Sequence, residues 1–342
     1  MHCLVGFRLY GSRMAPGLTR PAAAEAVEQT SDEAAVARII SRLGAEYVLG
    51  VFQLLIDRFG DIRSGLLFMA ISTANVAHID ARTEEGRDAA ASDGFVLDDD
   101  RKPVGVARLA AITGLPLGST RRIVERLIDV GDCIRVDGGL IVPRAVFERP
   151  ESVRATTANL RHVREFVRKL LARGLVAEAP AMIPAWQTTV AHGAWVPTVA
   201  RQSSVYCLRA LRLVVDLYGD PQAAIVAQSI VVANTAHLDV FMGEGWRYAG
   251  IDQPPPDEVR RPVSVSAIAR SLGVPYETLR RQVRRLIEAG VCVRVEGGLI
   301  VPMAALEKPA AARGMLANVR YVREFVDILR ALGFDPYESP DR

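Results

Sequence analysis

Apolar residues recur at helical spacing in the stretch "AEYVLGVFQLLIDRFGD" (45–61), and the same spacing returns in "SVYCLRALRLVVDLYGD" (204–220). Each is followed by a more uniformly apolar stretch, "IRSGLLFMAISTANVAHID" (62–80) or "PQAAIVAQSIVVANTAHLD" (221–239). The period of three to four predicts two consecutive helices in each place. A later run with Leu160, Val163, Phe166, Val167, Leu170 and Leu171 predicts another helix. Val319, Val322, Phe325, Val326 and Leu329 predict its twin. Gly174 and Gly333 supply the stops. Between these helices, polar connectors rich in Gly, Pro and Asp (about 83–102 and 243–261) read as loops.

The period changes once in each half. From Val263 the chain reads "VSVSAIARSLGVPYETLRRQVRRLIEAGVCVRVEGGLIVP". Ser264 caps a short helix ending near Leu272, Gly273 permits a tight turn, and Pro275 opens a helix that runs to Ala289 and stops at Gly290. Beyond Gly290 the pattern alternates. It places Cys292 and Arg294 on one side of a strand and Val291, Val293 and Val295 on the other. "EGG" forms the turn and "LIVP" the returning strand, closed by Pro302.

The phrase "DCIRVDGGLIVP" (132–143) answers "VCVRVEGGLIVP" (291–302) at an offset of 159 residues. The same offset relates Tyr47 to Tyr206, Gly60 to Gly219, Asn75 to Asn234, His78 to His237, Pro103 to Pro262 and Gly131 to Gly290. Between Pro103 and Gly174 roughly half of the positions equal their partners, against roughly one in sixteen by chance on ordinary composition. The chain is a tandem duplication. Repeat 1 is expected over 33–174 and repeat 2 over 192–333. A disordered segment precedes them (1–32), a linker joins them (175–191), and a tail follows (334–342).

Helix, turn, helix and hairpin is the order of a winged helix-turn-helix. The segments "RLAAITGLPLGSTRRIVERLIDVG" and "AIARSLGVPYETLRRQVRRLIEAG" resemble bacterial winged-helix transcription regulators of the MarR and IclR kind. The likeness covers about 40 residues in each copy, within about 103–145 and 262–304. The flanking helices resemble no family. The fold class expected is mainly α with small β-hairpin wings: two tandem winged helix-turn-helix repeats with flanking helices.

The faces of the second helix of each motif carry the candidate chemistry. Leu279, Val283 and Leu286 form a buried stripe, as do Thr120, Val124 and Leu127. Off the stripe lie Tyr276, Thr278, Arg280, Arg281, Arg284 and Arg285, matched by Leu117, Ser119, Arg121, Arg122 and Arg126, with Glu125 where repeat 2 has Arg284. Arginine suits a major groove, since its fork binds phosphate or the O6 and N7 of guanine. Arg135 and Arg294 on the hairpin strands are placed to reach a flanking phosphate. The resemblance implies that Arg122 and Arg281 clamp phosphate while Arg121 and Arg280 read bases. A solvated helix face, or a protein-binding module, explains the same arginines without DNA.

Composition changes this picture little. The 342 residues are half hydrophobic with a net charge of +3, a mildly basic balance that permits nucleic-acid binding without demanding it. The four cysteines form no C-x-x-C pair, so neither a zinc site nor a disulfide framework is indicated. A reduced cytoplasmic compartment, at the nucleoid, is the expectation. No signal peptide or membrane span is read, and no metal or cofactor. There is no Walker sequence, no G-x-S-x-G and no H-E-x-x-H, so no enzyme is expected.

The asparagines come in two matched pairs. Asn75 and Asn234, in the most apolar helix, are expected to hydrogen-bond between helices. Asn159 and Asn318 are expected to cap the last helix or touch the wing. The broad apolar faces around Leu66, Leu67, Met69, Ile71 and Val76 are expected to pack between the repeats or between chains as a homodimer. The expected function is a sequence-specific DNA-binding transcription regulator with double-stranded DNA as partner. The alternatives are a tandem winged-helix protein scaffold of the chromosome segregation and condensation type, or a replication initiator.

Overall fold

The computed structural model describes residues 22–79, 95–177, 196–239 and 246–337. It is mostly helical with two small antiparallel hairpins. Repeat 1 holds α1 (Ala22–Phe59), α2 (Ile62–Asn75), α3 (Val106–Thr113), α4 (Leu117–Asp129), β1 (Ile134–Val136), β2 (Gly139–Ile141), α5 (Arg144–Phe147) and α6 (Pro150–Leu171). Repeat 2 holds α7 (Val196–Tyr218), α8 (Pro221–Thr235), α9 (Val265–Ser271), α10 (Tyr276–Glu288), β3 (Val293–Val295), β4 (Gly298–Ile300), α11 (Met303–Leu306) and α12 (Pro309–Ala331). The predicted helices and hairpins appear in the predicted order. The predicted starts of α2 and α9 are secured by side chains. Asp61 accepts from Arg63 N and Ser64 N, and Ser264 Oγ accepts from Ala267 N.

Three sequence expectations are corrected. Residues 22–32 are not a disordered leader; they belong to α1, whose Glu33 is buried between Arg320 (3.0 Å) and Arg323 (3.5 Å) of α12. The linker starts later than expected, because Leu175 and Val176 are buried. The tail is not free at its start: Phe334 is buried and Pro336 O accepts from Arg168 Nε at 2.7 Å. Residues 1–21, 178–191 and 338–342 of these expectations lie outside the described residues, as do parts of both connectors.

The two repeats share one hydrophobic core. The first and last helices of both, α1, α6, α7 and α12, pack as a four-helix body. Repeat-matched rings meet at its centre. Tyr47 stacks on Phe166 (centroids 4.7 Å apart) and Tyr206 on Phe325 (5.5 Å), and the two tyrosine rings lie 6.0 Å apart. The broad apolar faces expected to seek a partner find it within the chain: Leu66, Leu67, Met69, Ile71 and Val76 are all buried. α1 has the length and hydropathy of a membrane span, but more than half of its apolar window is buried in this body.

Asn159 and Asn318 are not caps. They lie inside α6 and α12, buried at the centre. Ser203 Oγ bridges Tyr47 Oη (2.6 Å) and Asn159 (3.1 Å). Repeat 1 has Gly44 where repeat 2 has Ser203, so the Tyr206 hydroxyl donates directly to Asn318 Oδ1 at 3.2 Å. A Cβ on Gly44 would sit 2.3 Å from that hydroxyl, so the glycine is required by close approach. Burial pushes both phenols above their ordinary pKa.

Asn75 and Asn234 do not bond helix to helix as expected. Their partners are backbone groups of the returning hairpin strand and of the segment that pairs beside it. Asn75 Nδ2 donates to Lys102 O and Leu140 O (both 2.9 Å), and its Oδ1 accepts from Val142 N (2.9 Å). Asn234 repeats this with Arg261 O (2.8 Å), Leu299 O (3.0 Å) and Val301 N (3.0 Å). Both amides are fully buried. An unmade bond costs about 1–3 kcal/mol per stranded group. In Asn234→Asp the new carboxylate accepts from Val301 N but faces two carbonyl oxygens, which favours its protonated form in the folded state. Its folded pKa is therefore raised. Stability is retained below the unfolded pKa and lost as pH rises through the folded one. We expect a loss of about 3 kcal/mol or more at pH 7, shrinking towards pH 4, measured by urea melts across pH. A pH-independent loss would refute this account.

Candidate nucleic-acid interface

In both copies the second helix is anchored by the predicted stripe. Thr120, Ile123, Val124 and Leu127 of α4, and Leu279, Val283 and Leu286 of α10, are buried. The outward face carries the predicted polar set. Leu117, Arg121, Arg122, Arg126, Tyr276, Arg280, Arg281, Arg284 and Arg285 are exposed, with Ser119 and Thr278 half-buried.

The hairpins are held by a third pairing. Val104 bridges Leu140 and Val263 bridges Leu299, so each hairpin is the edge of a miniature sheet. That closeness explains the second glycine of each turn. A Cβ on Gly139 would lie 2.6 Å from Val104 O, and one on Gly298 2.4 Å from Val263 O, at φ of 148° and 150°. The predicted alternation along the outgoing strand is not found. Val291 and Cys292 are both buried, while Val293, Arg294 and Val295 are all exposed. The strand has only three residues and projects past the body. The returning strand supplies the buried apolar pair, Leu299 with Ile300 or Leu140 with Ile141.

Ion pairs divide the arginines. Arg126 Nη2 contacts Asp61 Oδ2 at 2.7 Å and also Ser64 Oγ, which ties it to the N-terminus of α2. Arg135 pairs with Glu125 at 2.6 Å, Arg280 with Glu277 at 2.9 Å and Arg284 with Glu288 at 3.9 Å. Among the described residues no ion pair engages Arg121, Arg122, Arg281, Arg285 or Arg294. The pairs on Arg135, Arg280 and Arg284 are exposed on both sides and hold their arginines by only about 0.2–1 kcal/mol each, little enough for a phosphate to displace. Arg126, expected to face DNA, is held by an equally exposed pair but adds a second contact, to Ser64 Oγ.

The two helices open onto one cleft. Ser119, Arg122, Ile123 and Arg126 of α4 line it together with Thr278 of α10, and its floor is the meeting of Arg63 and Gln222. Arg63 and Gln222 are repeat partners, as are Ser119 and Thr278, so the cleft straddles the pseudo-twofold axis. Its volume is about 370 Å³. A cleft of that size spans a fraction of the ~34 Å that separates successive major grooves on one face of a duplex.

Sequence reading missed what fixes repeat 1 to the body. Arg58 lies over the rings of Phe59 and Phe68 (4.4 Å each) and reaches Asp132 at 3.0 Å, which also holds Arg149 at 3.1 Å. Repeat 2 has Leu217 and Val291 at the places of Arg58 and Asp132, so this ion pair has no counterpart there. Only a comparison of the unequal positions would have exposed it.

Cys133, Cys207 and Cys292 are buried free thiols. Burial pushes Cys133 up to about 12, with Asp132 adding to it, and Cys292 up to about 11. Both remain protonated at neutral pH, which suits the expected small apolar role. Among the described residues no group of His, Cys, Asp and Glu could hold a metal.

No family model, no curated protein and no solved structure matches this chain.

The outward faces of α4 and α10 can be weighed against each other as candidate DNA contacts. α10 offers Arg280, Arg281, Arg284, Arg285 and Tyr276, whereas α4 offers Arg121, Arg122 and an Arg126 held by Asp61 and Ser64. Arg280→Ala with Arg281→Ala is expected to weaken specific DNA binding more than Arg121→Ala with Arg122→Ala, each lost guanine contact costing about 1–3 kcal/mol. Both double variants should stay within about 0.5 kcal/mol of the parent in stability, because the side chains are exposed. Anisotropy titrations at one fixed salt check the order. Equal or reversed losses would sink it.

Proposed function

We propose that the chain is a sequence-specific DNA-binding transcription regulator whose two motifs are winged helix-turn-helix units. The observation that supports this best is the pairing of two exposed arginine-bearing helices, each backed by a small hairpin, around one cleft. In this reading α4 and α10 present base-reading and phosphate-binding arginines, and Arg135 and Arg294 on the wings take flanking phosphates. Leu117 and Tyr276, exposed at the helix starts, meet bases first; Leu117 suits a thymine methyl. The DNA-binding form acts at the nucleoid, in the cytoplasm.

The shared cleft bears on how the two motifs meet DNA. Dimeric helix-turn-helix readers address two half-sites about one helical turn apart. With Ser119 and Thr278 on one cleft, the two helices instead address one continuous stretch of duplex. Hydroxyl-radical footprinting on the bound site should give a single uninterrupted protected segment. Two protected patches separated by about 10 base pairs would refute this arrangement.

The competing reading is a protein-binding scaffold, favoured by the exposed apolar residues Ile134, Val293 and Val295 on the wings. Salt dependence separates the two. If each unit neutralises three to four phosphates, log K for DNA should fall with log salt at a slope of about −6. A slope near zero, or no binding at low salt, favours the scaffold.

A further inference from the structure

We propose that the cavity between α1, α7, α8 and α12 is a binding site for a small apolar carboxylic acid in its ionised form. The cavity measures about 150 Å³ and is walled by both repeats, with Val48, Phe52, Val214, Ile225, Val231 and Met315 among its apolar lining. A dry cavity of that size holds a molecule about as large as benzene.

Beside Tyr206, Tyr218, Gln228, Thr235 and Asn318, its polar lining holds three arginines and Ser41. Arg260 lines the cavity with its side chain wholly removed from solvent. Its Nε meets Asp257 at 3.1 Å and its Nη2 donates to Pro255 O at 2.8 Å, but Nη1 is buried without a protein partner. Ser41 Oγ, on α1, lines the same cavity and is likewise buried without a partner. Two stranded donors on residues that line one cavity can serve the two oxygens of a carboxylate. Arg38 and Arg42 also line it, fixed by Ile251 O and Tyr248 O at 2.9 Å each. Burial, then Arg260 and Arg42, lowers Arg38 to about 10, so the guanidiniums crowd one another. Glu307 and Asp252 oppose that effect from outside the cavity lining. An anion inside would relieve it further.

The duplication supplies an internal control. A second cavity of about 160 Å³ is built from matching positions of α1, α2, α6 and α7. There Arg101 and Arg201 stand in the places of Arg260 and Arg42, but Pro197 and Ala200 stand in the places of Arg38 and Ser41. The Ser41 hydroxyl and the Arg38 guanidinium have no counterpart there, so one site per chain is expected for an anion that needs both Arg260 and Ser41.

The test is calorimetric titration of the full chain with isovalerate and, separately, isovaleramide, which approach benzene in size. The acid should bind with a stoichiometry of one and about tenfold or more tighter than the amide. Gly314→Leu fills the cavity from α12, where a Cβ meets nothing closer than Leu213 at 4.0 Å; it should abolish binding without lowering the melting temperature. Ser41→Ala, a milder change, should weaken the acid several-fold and leave the amide unaffected. Equal affinity for acid and amide, two sites per chain, undiminished binding to a folded Gly314→Leu protein, or no saturable binding up to about 1 mM would each overturn the proposal. The measurement uses free protein, so it stands or falls independently of DNA binding.

Discussion

The position of each hairpin relative to the body depends on one buried side-chain amide. Asn75 and Asn234 sit at the last turn of the most apolar helix in their repeats, where any unpaired polar group is costly. Each satisfies itself by reaching across to the segment ahead of the bridging valine and to the returning strand of the hairpin. The hairpin cannot slide or tilt without stranding one donor or one acceptor. Since α2 and α8 also pack on α4 and α10, the amide locks helix and hairpin into a single rigid unit. Two hydrogen-bonding atoms thus decide where the arginines point.

Much of this arrangement was legible because periodicity and duplication reinforce each other. The stripes of α4 and α10, the cap at Ser264 and the hairpin turns follow from local rules that require no partner. The chain's interior was harder to read. Asn159 looked like a cap because it precedes a periodic run, yet α6 starts at Pro150 and the residue lies well inside it. The alternation that set Cys292 with Arg294 against Val291, Val293 and Val295 failed, because it assumes a strand with a body behind it along its whole length. The cleft and the cavities depend on how two repeats dock, and no window of one repeat contains that information.

Docking also constrains any mechanism. The four-helix body places repeat-matched rings on the axis, and each two-helix motif leans on the opposite repeat, Gly114 against Val215 and Gly273 against Ile56. The units are therefore not beads on a string. Their separation is set by core packing, which yields only in discrete rearrangements. A small molecule lodged among α1, α7, α8 and α12 would act on those same contacts.

The unequal pair Gly44 and Ser203 has a consequence for how such a chain diverges. In a homodimer every substitution appears on both sides of the axis, so a change that suits one side must be tolerated by its mirror image. Serine beside Tyr47 with glycine beside Tyr206 is a solution closed to a symmetric assembly, because serine at both places would strike the Tyr206 hydroxyl. Fusing the halves into one polypeptide removes that coupling. Each half can then specialise alone, one cavity keeping the arginine and serine whose places in the other are taken by Pro197 and Ala200, and one outward face presenting more arginine than its twin.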